Sequence, residues 1–361
     1  MKKKSVTLLT AILLLGIGGN TFAADTIVAT DTKAATTTTV ATDTKATADE
    51  KSEKFKISGV FGTRYDHTEG QGVTDFGNVL GLKISAKIND KVSIFTESEM
   101  HRNLRDDLPF ATSPDGKLND WTWIGLQAHV NGDFDGTTVK LGRFQYIPTY
   151  GLVHGDKQEV DGGLVSFGKI VKTTIVTGTN NPFWPGTTSN SSLSDADGIM
   201  QTSPYHAIDV IVPTSKITNI RASYQKGTVP LPKEVSISNP QLSFTEYGFD
   251  TKIAKDLSFE CAQVSSTADS DNKGSYAKLT YKGANPGKLH SYGIYTAYHN
   301  LETNSIIGND INLTADQKGI RYGIDYVPWN NSLLKVWYDD VKELSTNTKV
   351  DKFRAQMDFF F

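Results

Sequence analysis

Phe353-Arg354-Ala355-Gln356-Met357-Asp358-Phe359-Phe360-Phe361 is the stretch that decides how the rest of the chain is read. In an extended strand Phe353, Ala355, Met357, Phe359 and Phe361 fall on one side, and Arg354, Gln356, Asp358 and Phe360 on the other. The same period recurs upstream. Leu334, Val336 and Tyr338 alternate with Lys335, Trp337 and Asp339, and Ile320, Tyr322, Ile324 and Tyr326 with Arg321, Gly323 and Asp325. Near the start, Phe55, Ile57, Gly59, Phe61, Thr63 and Tyr65 alternate with Lys56, Ser58, Val60, Gly62 and Arg64. One apolar face repeated along most of a chain suits a sheet with lipid outside and water inside. Backbone groups left unpaired in hydrocarbon cost several kcal/mol each, so such a sheet must close and lose its edges. The expected fold class is all-β, a transmembrane antiparallel β-barrel.

Sixteen segments carry the pattern: 55–65, 79–88, 92–101, 121–131, 137–146, 159–168, 171–178, 205–213, 217–226, 243–252, 256–265, 274–283, 288–299, 317–328, 332–341 and 351–361. Most have the roughly 9–11 residues that a tilted strand needs to cross hydrocarbon. The weak segments at 159–178 and 205–226 are where a count of fourteen or eighteen would arise. Connection lengths give an independent check. Those at 89–91, 132–136, 169–170, 214–216, 253–255, 284–287 and 329–331 are short, with turn chemistry such as Asn89-Asp90-Lys91, Pro213-Thr214-Ser215 and Asn285-Pro286-Gly287. Those at 66–78, 102–120, 147–158, 179–204, 227–242, 266–273, 300–316 and 342–350 are longer. The sorting puts short turns and both termini in the periplasm and eight longer loops at the cell surface.

Ahead of the barrel, Lys2, Lys3 and Lys4 precede an apolar run from Val6 to Ile17, and Thr21-Phe22-Ala23 supplies small residues for cleavage. Residues 1–23 therefore read as a secretory signal, too short for a membrane-spanning helix. Residues 24–53 are Thr, Ala, Asp and Lys with little to bury, and Ala-Thr-Asp-Thr-Lys-Ala occurs at 29–34 and again at 41–46. That composition predicts a flexible periplasmic linker able to touch the cell wall. The barrel occupies 54–361.

Without the three signal lysines, 34 basic residues stand against 40 acidic ones, a formal charge of −6. No basic cluster interleaves with aromatics, which argues against nucleic acid as a partner. Cys261 is the single cysteine, so no intramolecular disulfide is possible. The seven histidines share no short spacing. There is no His-Glu-x-x-His, no Gly-x-Ser-x-Gly and no phosphate-binding glycine loop, so no enzyme is expected. No dense acidic pattern points to a metal, and no cofactor is implied.

The seven arginines are better placed. Arg64, Arg102, Arg143, Arg221, Arg321 and Arg354 lie in or at the edge of strand segments, with Arg105 alone in a loop. A charge facing lipid at mid-depth costs about 2–4 kcal/mol, so strand arginines should point into a lumen. Arg64, Arg221, Arg321 and Arg354 have that parity. Arg143 shares parity with Val139 and Leu141 and violates it, unless a bulge at Gly142 or a position above the hydrocarbon intervenes. Asp156, Glu159 and Asp161 are acidic candidates for the facing wall. Tyr65, Trp121, Trp123, Tyr298, Tyr326, Trp329 and Tyr338 fall near strand ends, where a membrane girdle would need them.

Signal, alternating strands and a terminal aromatic together make residues 54–361 resemble the general-diffusion porins of Gram-negative bacteria. Leu141-Gly142-Arg143-Phe144-Gln145 and Val160-Asp161-Gly162-Gly163 resemble the porins of outer-membrane-bearing Firmicutes, although the S-layer homology domain usual in that group is absent. The resemblance implies an integral outer-membrane channel for passive diffusion of small hydrophilic solutes. It also implies contact with outer-membrane lipid, homotrimers, and Phe359 and Phe361 as the signal read by the barrel-assembly machinery. Gly59, Gly62 and Gly81 offer small residues for a trimer interface. In such porins a third surface loop folds inward. Here that loop is 147–158, short for the task, which leaves 102–120 or 179–204 as alternatives. A channel specific for sugars or carboxylates, and a structural barrel anchoring the envelope, remain as other readings.

Overall fold

The computed structural model describes residues 54–361 except 71, 105–121, 156–157, 182–202, 229–240 and 308–313. Sixteen strands follow one another: β1 (Phe55–Thr68), β2 (Gly72–Lys87), β3 (Val92–Asn103), β4 (Thr122–Phe134), β5 (Thr137–Gln145), β6 (Glu159–Phe167), β7 (Lys172–Asn181) and β8 (Ser203–Pro213). The second half contributes β9 (Thr218–Thr228), β10 (Gln241–Ala254), β11 (Leu257–Ser266), β12 (Lys273–Lys282), β13 (Tyr292–Leu301), β14 (Gln317–Tyr326), β15 (Ser332–Glu343) and β16 (Lys352–Phe360). Each pairs antiparallel with its sequence neighbours, and β1 pairs with β16 to close the barrel. Every segment expected to form a strand does so. The expected signal segment and linker lie outside the described residues.

The alternation sorts as the lipid argument requires. Ile94, Val130, Leu141, Val165, Ile175, Ile208, Ile220, Phe249, Ile294 and Ile324 are all exposed and fall on the outward parity of their strands. Tyr322, Tyr338 and Tyr298 stand exposed on that face, while Trp329, in the β14–β15 turn, stacks on Phe359. The side chains of Trp121 and Trp123 lie outside those described.

Two connections differ from expectation. Residues 66–78 are not a loop: β1 runs to Thr68 and β2 starts at Gly72. Gly70 and Gly72 adopt φ of 80° and 78°, which lets the chain reverse within three residues. The polar residues that made this stretch look like a loop, Asp66 and Asp75, instead face the barrel interior. Conversely, residues 288–291 are turn and not strand. Lys288 N bonds to the Asn285 carbonyl at 2.7 Å and Ser291 N to that of Lys288 at 3.1 Å, holding the Asn285-Pro286-Gly287 reversal.

Candidate functional site

Cross-strand register brings arginines and carboxylates together on the inner wall. Arg321 lies directly opposite Asp339, and its Nε and Nη2 donate to the two carboxylate oxygens at 2.6 and 2.7 Å. Arg354 is opposite Asp66 across the β1–β16 seam and makes the same forked pair at 2.6 and 2.7 Å. Arg64 bonds to Asp75, and its Nε is 3.5 Å from Asp66. Asp75 also has His101 Nε2 at 3.3 Å. Trp337 sits between the first two pairs, its ring centroid 3.9 Å from the Arg321 guanidinium and 5.0 Å from that of Arg354. These forked contacts fix geometry as well as charge. Their result is a wall of guanidinium–carboxylate pairs whose charges largely cancel.

Arg221 is also on the inner parity, with Nε 2.8 Å from Asp250 Oδ1. The other two strand arginines are not. Arg102 pairs in register with Asn78, one residue out of phase with inward His101, and so falls on the outer face near the end of β3. Arg143 stands opposite Asp161, in phase with exposed Leu141 and Val165. Register continues unbroken through Gly142, so no bulge turns Arg143 inward. Its charge is met by a forked pair to Asp161 at 2.7 and 2.8 Å, two residues from the end of β5. Glu159 shares the parity of Asp161 and is buried. Placing Arg102, Arg143, Glu159 and Asp161 toward a lumen is therefore corrected by the register. Asp156 and Arg105 lie outside the described residues.

Residues 146–155 of the connection after β5 turn into the barrel. Its opening reversal is closed by Gly151 N bonding to the Pro148 carbonyl at 2.8 Å. Thr149 takes φ of 54°, a conformation a β-branched residue adopts only when its surroundings enforce it. The enforcement is visible: Asp209 Oδ1, on β8, accepts from both Thr149 N and Oγ1 at 3.1 and 2.8 Å. On β10, Glu246 Oε1 accepts from Tyr150 N at 3.0 Å and Leu152 N at 3.4 Å. Arg221 reaches the Thr149 carbonyl at 3.4 Å and lies over the Tyr150 ring. Two wall carboxylates thus hold a row of loop N–H groups that would otherwise be buried unpaired.

Apolar packing completes the docking. Leu152 and Val153 are fully buried against wall residues that point inward, including Val160, Val176, Phe244, Ala262 and Val264. His154 stacks on Tyr205 with centroids 4.5 Å apart. Its Nδ1 donates to the Tyr146 carbonyl at 2.6 Å, and the Asn180 side-chain amide lies 3.3 Å from Nε2. Burial pushes the imidazole pKa down to about 4. A second inward loop, after β13, meets the first: Ile307 N bonds to the Val153 carbonyl at 3.1 Å, and Ile306 and Ile307 join the same apolar cluster.

Asp66, Asp75, Asp209, Glu246, Asp250 and Asp339 were not singled out in the sequence. For Asp209 and Glu246 a signal existed: the inward positions beside them, Ala207 and Phe244, are apolar where a water-lined wall should be polar. The 102–120 loop and most of 179–204 lie outside the described residues. Gly62 and Gly81 face inward, and a Cβ on Gly59 would meet the Phe361 ring at 2.5 Å, so these glycines do not form an open outer face.

No family model matches this chain, and no curated protein does. Solved structures do resemble it. A mutant of the porin from Rhodopseudomonas blastica superposes with a TM-score of 0.51 over 85% of this chain and 100% of its own, at 10% identity. Another mutant of the same porin gives 0.51 with the same coverages at 11% identity. A structure described as asymmetric conductivity of engineered proteins gives 0.50 at 12% identity, again covering 85% and 100%. At such identities the likeness is one of fold: this chain is a sixteen-stranded barrel of the bacterial porin type.

Proposed function

We propose that the barrel is an outer-membrane channel through which ions and small hydrophilic solutes diffuse passively. One observation carries the reading: a closed wall of sixteen strands with a charge-compensated inner face, narrowed by an inward loop. Barrels of this strand number leave an aqueous channel, and an inner face of paired charges is wettable without binding one sign strongly. No chemical step and no cofactor enters the mechanism. In this reading the signal at 1–23 exports the chain, the short turns and both termini face the periplasm, and Phe361 guides assembly. Trimer formation, wall contact through 24–53 and kinship with the Firmicutes porins belong to the same proposal. Planar-bilayer recording tests it: ion-conducting steps are expected, and their absence from folded protein would refute diffusion.

A second reading, a channel selective for sugars or carboxylates, is favoured by the aromatic and cationic sequence on β12 to β16. Lys278 lies over Tyr295, whose ring occupies the space a side chain on Gly323 would take, and Trp337 follows between Arg321 and Arg354. Saturable block of ion current by an oligosaccharide or a dicarboxylate would support it. Current unaffected by either returns the argument to general diffusion.

A further inference from the structure

At the end of the barrel that carries the long connections, the wall finishes in a folded rim. Glu343 N bonds to the Thr348 carbonyl at 2.9 Å and Val350 N to that of Val341 at 3.0 Å, so the connection after β15 doubles back on its own strand. Glu69 N bonds to the Asp351 carbonyl at 2.8 Å and ties the β1–β2 turn to the residue before β16. A groove of about 310 Å³ opens here, lined by His67, Glu69, Tyr338, Asp351, Lys352 and Phe353. Tyr338, Phe353 and His67 are neighbours in register on the outward parity and supply its rings.

Asp351 is the anomaly in this groove. It is only 8% exposed. Its Oδ2 accepts from the Tyr338 hydroxyl and from Lys349 Nζ, whereas Oδ1 is buried and has no hydrogen-bond partner. A buried carboxylate oxygen without a donor lacks the contact that would offset its desolvation. The lysines nearby are engaged elsewhere. Lys352 donates to Thr314 Oγ1 at 3.1 Å and Gln317 Oε1 at 3.2 Å, and Lys349 Nζ also lies 3.7 Å from Asp340. Glu69 adds a second carboxylate, and it is exposed. Among the described residues no three metal-ligating side chains gather, so the lining does not suit a bare metal ion. It suits a cation that carries its own N–H bonds: a donor for Oδ1, charge for Glu69, and a methylene beside the charge for the ring faces.

We propose that this groove binds a primary ammonium group, with Asp351 and Glu69 as its acceptors and Tyr338 and Phe353 as its walls. Two sources carry such a group, a lipid headgroup in the surrounding leaflet and a small amine in the medium. The rings that wall the groove have outward parity, so the site is separate from whatever diffuses through the lumen.

The test uses the full chain in mild detergent and has two arms. In the first, the barrel is extracted from vesicles of equal parts phosphatidylethanolamine and phosphatidylcholine, and retained lipid is counted by native mass spectrometry. In the second, n-butylammonium or tetramethylammonium is added to the delipidated barrel, and binding is read by saturation-transfer NMR. A primary ammonium has N–H donors and a quaternary one has none, so discrimination within each pair reports a hydrogen bond and not charge alone. A several-fold preference for the primary member is expected, in the lipid arm if a headgroup is the source and in the soluble arm if a free amine is. It should be lost in Asp351→Asn, fall several-fold in Glu69→Gln, and persist in Asp340→Asn, which touches the same lysine without lining the groove. A heat-modifiable band shows that each variant is folded, and should Asp351→Asn fail that check, Glu69→Gln decides. No preference in either arm, or a preference unchanged by both groove variants, overturns the proposal. So does equal loss in Asp340→Asn, which would assign the effect to the general charge of the rim.

Discussion

The interior of this barrel is filled in two ways. Over β6 to β13, the polar inward positions are interrupted by an apolar cluster that includes Val160, Leu164, Val176, Tyr205, Phe244, Ala262, Val264 and Leu301 and lies under two folded-in loops. Over β14 to β16 and β1 to β3 they are arginines and carboxylates, with no loop docked on them among the described residues. Apolar side chains on an inner wall need a covering, because leaving them in water forfeits about 25 cal/mol per Å². Guanidinium–carboxylate pairs need none, since water and each other satisfy them. The side on which the inner alternation turns apolar therefore dictates where the loop docks, and the charged side keeps whatever passage remains.

The strongest challenge to this division is a charge in the apolar half. Leu152→Asp would bury an unpaired carboxylate, which costs several kcal/mol and is relieved by undocking the loop. Single-channel conductance and the size of excluded polymer should both rise. An unchanged conductance with a heat-stable barrel would mean that the loop does not set the narrow point.

The charged half is tested by unbalancing it. Removing one partner of a buried ion pair costs about 3–5 kcal/mol because the other charge is left behind. Arg321→Gln strands Asp339, which is 2% exposed, and should shift the reversal potential under a salt gradient toward cations. Asp339→Asn should shift it the opposite way. The wild type, with its charges paired, should be weakly selective. Equal reversal potentials in all three would show that this wall does not face the current.

Acid should weaken the packing of His154 in the apolar half. His154 is held neutral, its pKa depressed from 6.5 to about 4 in the docked loop. A released loop would regain the ordinary value, so protons favour release. The His154 contribution to docking is at full strength above about pH 6.5 and weakens as pH falls toward 4. Current noise from loop motion should grow over that window in wild type and not in His154→Gln. The smallest effect belongs to neither half. Arg143→Gln breaks a half-exposed pair on the outer face, worth about 0–1 kcal/mol, and should leave conductance and thermal stability nearly unchanged.

Strand identities were legible because lipid imposes a period of two on every strand, and the period survives averaging over a noisy sequence. The register was not. Whether Arg354 meets Asp66 or Arg64 depends on how far β1 and β16 slide past each other, which alternation leaves open. The β1–β2 hairpin was misread for a related reason: Asp66 and Asp75 look like loop residues until an arginine is known to face them. The inward loop left a trace that composition alone obscures. Ile147-Pro148-Thr149-Tyr150-Gly151-Leu152-Val153-His154 is too apolar for a segment bathed in water, and Phe244, Ala262, Val264 and Leu301 interrupt the polar inner parity where it lands.

The seam between β1 and β16 has a kinetic meaning. Fifteen of the sixteen strand pairings join sequence neighbours, whereas Asp66 and Arg354 are 288 positions apart. Bringing ends together across that distance costs about 5 kcal/mol of chain entropy if the intervening segment is still free, and almost none once the other strands have zipped up in order. The economical route is thus a sheet that grows hairpin by hairpin and closes once. Until that moment two exposed edges, and a Phe353-to-Phe361 strand with one face already apolar, are open to any other strand in reach. The Arg354–Asp66 fork is then less a stabiliser of the finished wall than the register mark by which the right edge is told from a wrong one.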